Sequence, residues 1–138
     1  MKDKHLWIVV PPLAGVGILF AHFWGTPWSV MRWTGFAMIV FGFAMWTMAH
    51  VQLGASFSAT AQARKLVTHG LYSKIRNPIY VFGSIALAGV CLFIEMPVIL
   101  LAFLFLIPMQ ILRARKEARV LEQAFGEDYR KYRAGTWF

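Results

Sequence analysis

The chain has 138 residues, 59% of them hydrophobic and only 14% charged, with a net charge of +8. A soluble domain of this size carries about 25% charged residues. Here the charges are nearly absent from residues 6–50 and 77–112 and crowd into 64–76 and 113–133, a block pattern that excludes an ordinary soluble fold and indicates an integral membrane protein.

Four apolar stretches follow one another, at about 6–24, 28–51, 79–94 and 98–112. A helix crosses the hydrocarbon core in about 20 residues, and the first two stretches meet that length. The first is too long for a signal-peptide core and is interrupted by Pro11-Pro12, with further spans behind it. Trp7, Trp24, Trp28 and Trp33 fall near the ends of the first two stretches, where indole rings anchor at the interface. In the second, Gly35 and Gly42 allow another helix to come close, either within the monomer or in a homo-oligomer.

Next comes a polar, basic hinge, running from Gly70 through Arg76-Asn77-Pro78 to Gly83. Pro78 is placed to open the third helix. The third and fourth stretches are shorter, about 24 Å each at 1.5 Å per residue. Glu95-Met96-Pro97 between them reads as the tight turn of a helical hairpin, and Pro108 as a kink in the fourth helix. Cys91 lies in an apolar run and reads as a buried, inert thiol.

Past Leu112 a charged helix continues, with Leu121, Ala124 and Phe125 on one face. Gly126 ends or bends it, and Tyr129 and Tyr132 follow on a short second turn. Taken alone, this segment is equally readable as an amphipathic helix on the membrane surface. With both ends of the chain cytoplasmic, every Lys and Arg except Arg32 falls on one side of the membrane, which the positive-inside rule requires. Arg32 lies near a helix start and is expected to snorkel. The architecture expected is therefore all-α, with four transmembrane helices, the last two a hairpin, plus a cytosolic helix. All of it forms one domain over 1–138, with cytosolic segments at about 53–78 and 113–138. The expected location is a bacterial or archaeal inner membrane, multi-pass, with both termini cytoplasmic.

The polar residues also form a pattern. Leu66-Val67-Thr68-His69-Gly70-Leu71-Tyr72, Arg76-Asn77-Pro78-Ile79-Tyr80, and then Glu117, Leu121, Phe125-Gly126, Tyr129 and Tyr132 resemble the isoprenylcysteine carboxyl methyltransferase and phospholipid methyltransferase superfamily. The match covers about residues 53–132. It implies an enzyme that uses S-adenosylmethionine without a Rossmann domain. Its hinge and post-span helix would close over the cofactor on the cytosolic side, and a lipophilic acceptor would enter from the bilayer. The acceptor classes implied are an isoprenylcysteine-type carboxylate and a phospholipid-type amine.

By this resemblance His69, Gly70, Tyr72, Arg76, Asn77, Pro78, Tyr80, Glu117 and Leu121 bind the cofactor, with Arg76 and Glu117 the catalytic pair. Arg76 would meet the cofactor carboxylate or an acidic lipid group and Glu117 an ammonium group; Glu117 also stands four residues after Arg113, as in an ordinary surface ion pair. His69 is the only histidine placed to take a proton from an ammonium acceptor. The four histidines show no metal-ligand spacing. Two departures stand out: Ala118 replaces the second glutamate of the family pattern, and Phe82 precedes the glycine expected one residue earlier than Gly83. The first of these, with the short tail Gly135-Thr136-Trp137-Phe138, leaves open a non-catalytic relative or partner subunit. A nicotinamide-dependent membrane reductase is the other enzyme reading, and the short cytosolic portion leaves little room for a dinucleotide.

Overall fold

The computed structural model describes residues 3–54 and 66–138, with side chains from residue 9 onward. The basic residues Lys2, Arg64 and Lys65, the side chains of Lys4 and Trp7, and 55–65 of the expected cytosolic segment lie outside the described residues. Among the described residues the chain is helical: α1 (Asp3–Phe23), α2 (Val30–Leu53), α3 (Pro78–Phe93) and α4 (Phe103–Ala134). Short 3-10 turns cover Gly70–Ser73 and Pro97–Ala102. By length and composition, two helical segments suffice to cross a membrane, Val30–Leu53 and Pro97–Ala134. Val9–Phe23 and Pro78–Phe93 are shorter apolar helices. α1, α2 and α3 coincide with the first three apolar stretches to within a few residues, whereas the fourth stretch is divided between the 3-10 turn at Pro97–Ala102 and the first part of α4, which runs on to Ala134.

The centre of the fold is the pair α2 and α3, held together because small residues face each other. A Cβ added to Gly35 would lie 2.4 Å from the backbone nitrogen of Phe93, and one on Gly42 would lie 2.6 Å from that of Ala86. Gly89 answers from α3, where an added Cβ would lie 2.8 Å from the carbonyl oxygen of Gly35. The glycines thus pack the monomer, with backbone against backbone, as small residues do between membrane helices. Phe82 is buried and meets Phe41 edge-on at 5.9 Å, so the displaced glycine of the sequence pattern is absorbed by aromatic packing.

At the end where α1 turns into α2 and α3 into α4, Arg32 does not snorkel. It is 5% exposed, and its guanidinium binds Glu95 Oε2 at 2.8 Å, Thr26 Oγ1 at 2.7 Å, and the carbonyls of Pro27 and Phe93 at 3.0 and 3.2 Å. The Phe23 ring lies 4.8 Å from it. Glu95, in a left-handed conformation (φ 58°), supplies the carboxylate from the hairpin turn and also accepts from Ser29 Oγ, the N-cap of α2. A charge that looked like a lone exception is therefore neutralised locally, and it locks both turns at this end. Trp28 is likewise drawn inward, against Phe20, Phe36 and Phe93, while Trp24 and Trp33 stay exposed.

α3 starts at Pro78, whose missing N–H costs nothing at a first turn. Within α4 the backbone leaves helical angles at Gly126 (φ 49°, ψ −117°) and keeps them at Pro108. The bend expected at Gly126 is therefore present, while no break in helical angles marks the kink expected at Pro108. Cys91 is buried and free.

Candidate active site

The hinge is built on the last turn of α2. Gln52 Oε1 accepts the backbone N–H of Leu71 at 2.8 Å. Gly70 beside it has φ +62°, and an added Cβ would lie 2.4 Å from the Gln52 side chain. Both the left-handed turn and the amide contact thus demand glycine. The 3-10 turn that follows points Tyr72 into a small core of Ala49 and Val67. Beyond it the backbone of Lys74–Asn77 pairs with the last residues of the chain: Trp137 N–H donates to Lys74 O at 3.0 Å, Arg76 N–H to Trp137 O at 3.1 Å and Asn77 N–H to Phe138 O at 2.9 Å. Donors that a polar loop would otherwise leave open are satisfied by this clasp.

α4 closes over the hinge. Tyr80 OH donates to Glu117 Oε1 at 2.6 Å, a charge-assisted bond. Arg113 Nε meets the same oxygen at 3.3 Å, with its guanidinium 5.9 Å from the Tyr80 ring. The bend at Gly126 turns the following segment back, so that Tyr132 OH donates to Tyr72 O at 2.7 Å. Tyr129, 2% exposed, packs against Tyr132. Burial raises the Tyr72 hydroxyl well above its ordinary range, with Tyr132 and Glu117 adding to it. Burial also pushes Tyr132 up to about 12 and raises Tyr129, the latter opposed by Arg76. Held protonated, Tyr132 is a donor to the hinge backbone, while Tyr129 accepts from Arg76.

Among the described residues two buried side-chain atoms here lack hydrogen-bond partners, Tyr72 OH and Arg76 Nε. In a site so largely satisfied, they are the groups free to meet a ligand.

Beside this corner lies a cavity of about 540 Å³, within the roughly 300–1,000 Å³ of small-molecule sites. Arg76 and Asn77 reach it from the hinge, Ile111, Ala114, Arg115, Ala118, Arg119 and Glu122 from α4, and Tyr129, Arg133 and Phe138 from beyond the bend. The residues singled out by sequence therefore divide. Arg76 and Asn77 face the cavity. Tyr72, Tyr80 and Glu117 form the hydrogen-bonded corner next to it. Gly70 and Pro78 shape the chain, and Leu121 is half-buried on α4. His69 is exposed and precedes the 3-10 turn without capping it by its side chain. Sequence reading passed over Gln52, Arg115, Arg119, Glu122, Arg133 and Phe138. The spacing of Arg115 with Arg119, and of Ala118 with Glu122, is i, i+4 on one helical face, a signal present in the sequence. For Gln52 and Phe138 no local signal exists.

Residues 30–128 match the profile of the phospholipid methyltransferase family. Searches of curated proteins and of solved structures gave no match. The profile spans most of the chain, including the α2–α3 pair, the hinge and the corner, and the chain belongs to this family.

Proposed function

We propose that the chain is an S-adenosylmethionine-dependent methyltransferase acting on a lipophilic acceptor at the cytosolic face of a membrane. The observation that carries the reading is the meeting of hinge and α4 at the Tyr80–Glu117 bond, beside a cavity entered by Arg76. The cofactor carries an ammonium, a carboxylate and a sulfonium, and the residues present fit it. Arg76 has an unpartnered buried nitrogen for a carboxylate, Glu117 offers a carboxylate to a cation, and Tyr72, Tyr80, Tyr129 and Asn77 supply neutral donors and ring faces.

When bound, S-adenosylmethionine supplies an electrophilic methyl group. What the protein must add is chiefly alignment and exclusion of water. Arg113 and Tyr80 hold Glu117 in one orientation, and the tail clasp holds Arg76 and Asn77 in theirs. Among the described residues the phenols of the corner are held protonated and His69 is exposed. An acceptor that is already deprotonated, such as a carboxylate, needs no base, whereas an ammonium must lose its proton to water or to His69.

The membrane reading takes all four helices as spans, with α1 and α3 the short ones. The hinge and the charged half of α4 lie at one end, which carries Lys74, Arg76, Arg113, Arg115, Lys116 and Arg119. The opposite end carries the Arg32–Glu95 pair, neutral as a unit. The asymmetry favours the hinge end as cytoplasmic, where a water-borne cofactor and a bilayer-borne acceptor can meet.

Titrating the detergent-purified protein with S-adenosylmethionine and S-adenosylhomocysteine tests the proposal. Saturable binding, weakened by Glu117→Ala and by Arg76→Ala in folded protein, is expected. Absence of binding to folded wild type would overturn it in favour of a non-catalytic relative, the reading that Ala118 in place of a second glutamate favours. Normal binding by both variants would overturn the site.

A further inference from the structure

Ser84 and Gln110 are polar residues set in apolar runs, and they meet: Ser84 Oγ donates to Gln110 Oε1 at 3.1 Å. A hydroxyl and an amide at the depth of a membrane helix are costly unless each finds a partner. On α3, Ser84 stands one turn beyond Tyr80, and on α4, Gln110 stands two turns before Glu117. The two helices are therefore joined by two polar rungs, Ser84–Gln110 in the apolar part and Tyr80–Glu117 at the hinge. At 1.5 Å per residue the rungs lie about 10 Å apart along α4.

Apolar packing does less here than between α2 and α3. Those two meet backbone to backbone at Gly35, Gly42 and Gly89, whereas α4 has no glycine before Gly126. Leu104, Phe105, Met109 and Leu112 of its uncharged run are exposed. Pro108 has no N–H to offer the carbonyl of Leu104, which softens the helix just before Gln110. Arg113 also binds Glu117, but from the same helix, so it cannot set how α4 is turned. A side chain ends about 5–6 Å from the helix axis, and a rotation of about 20° carries its tip roughly 2 Å. That is enough to break the 2.6 Å bond from Tyr80. Once Glu117 is shared with a cation, the Tyr80 rung weakens, and Ser84–Gln110 is left to hold α4 against α3.

We infer that Ser84 and Gln110 are positioning residues for methyl transfer: resting on the role proposed for Glu117, their bond sets the rotation of α4 that aims this carboxylate at the cofactor. Neither residue lines the cavity, and both act through Glu117. Gln110 is the polar side chain of the run 103–112, and this is the use the fold makes of it.

Calorimetry on the full detergent-purified chain, with S-adenosylmethionine and S-adenosylhomocysteine, tests this through a double-mutant cycle. The variant Ser84→Ala/Gln110→Leu makes both sides of the contact apolar and strands no polar group, and thermal unfolding checks that it keeps the fold. It should weaken S-adenosylmethionine at least about fivefold when Glu117 is present, and no further in a Glu117→Gln background. Ser84→Thr, which keeps the hydroxyl, should bind as wild type does. Equal losses in both backgrounds would show a general structural role and overturn the positioning, as would unchanged affinity in the double variant. A second readout needs no ligand. Spin labels at Lys74→Cys and Lys116→Cys, both exposed positions, report the distance from hinge to α4, with Cys91 buried and left unlabelled. The double variant should shift or broaden that distance, and an unchanged distribution would overturn the positioning whatever the cofactor does. Wild type that binds neither compound, with the distance still shifted in the variant, would defeat the proposed function and leave the hold of this rung on α4 standing.

Discussion

Gly35→Ala is the sharpest test of how the two central helices meet. The added Cβ would lie 2.4 Å from Phe93 N, 2.6 Å from Gly89 O and 2.9 Å from the Leu92 carbonyl carbon. All three are backbone atoms, which no rotamer change can remove. Reaching the 3.4 Å of ordinary contact requires α3 to withdraw by roughly 1 Å, against a general overpacking cost of about 1–3 kcal/mol. The tightness of the contact puts this site near the top of that range. Alanine returns about 1 kcal/mol as the better helix former, leaving a net loss of about 1–2 kcal/mol. With about 4 °C per kcal/mol for a chain of this size, Tm should fall by roughly 4–8 °C. Tryptophan fluorescence of the detergent-solubilised protein on heating gives the readout, with size-exclusion chromatography for the oligomeric state. Gly17→Ala is the control, because an added Cβ there meets nothing within 4 Å, and it should leave Tm unchanged or raise it. A Gly35→Ala protein as stable as wild type would refute the packing argument. Loss of an oligomer with an unaltered monomer would move the glycine to an interface between copies.

Three further outcomes follow from the same geometry. Glu95→Ala leaves the Arg32 guanidinium buried without its carboxylate and should cost about 1.5–3 kcal/mol; a double-mutant cycle with Arg32→Ala should be non-additive, and strict additivity would show that the pair is not coupled. Tyr80→Phe removes the donor that orients Glu117 and should weaken S-adenosylmethionine binding several-fold, less than Glu117→Ala does, while an unchanged affinity would remove Tyr80 from the site. The phenols at the hinge titrate higher in the folded protein than the ordinary 10, Tyr132 at about 12. The folded state then holds more protons than the unfolded one above pH 10, and stability falls as pH rises toward 12. Tyr132→Phe should flatten that fall, and unfolding midpoints measured from pH 9 to 12 would show an unaltered slope if the tyrosine does not contribute.

What the sequence alone determined is what repeats locally or is carried by residue type. Uncharged runs place the helices, Pro78 opens α3, Glu95-Met96-Pro97 turns the hairpin, and Gly126 bends α4. The paired motifs announce the family and name Arg76, Tyr80 and Glu117. Each follows from backbone preferences or from the cost of charge in an apolar run, which neighbours in the chain suffice to set. The tertiary structure decided what joins residues distant in sequence. Arg32, read as a snorkelling exception, is buried because Glu95, 63 residues away, reaches it across two turns. Gly35 and Gly42 pack one chain because Gly89 and Ala86 face them. Gln52 belongs to the hinge because Gly70 leaves room for it, and Phe138 reaches the cavity because the tail pairs with Asn77. The motif residues also separate into a corner and a cavity wall, since Glu117 and Ala118 stand about 100° apart around α4. That angle is a property of the helix, but which side each residue faces is set by where the bend at Gly126 and the hinge bring the rest of the chain.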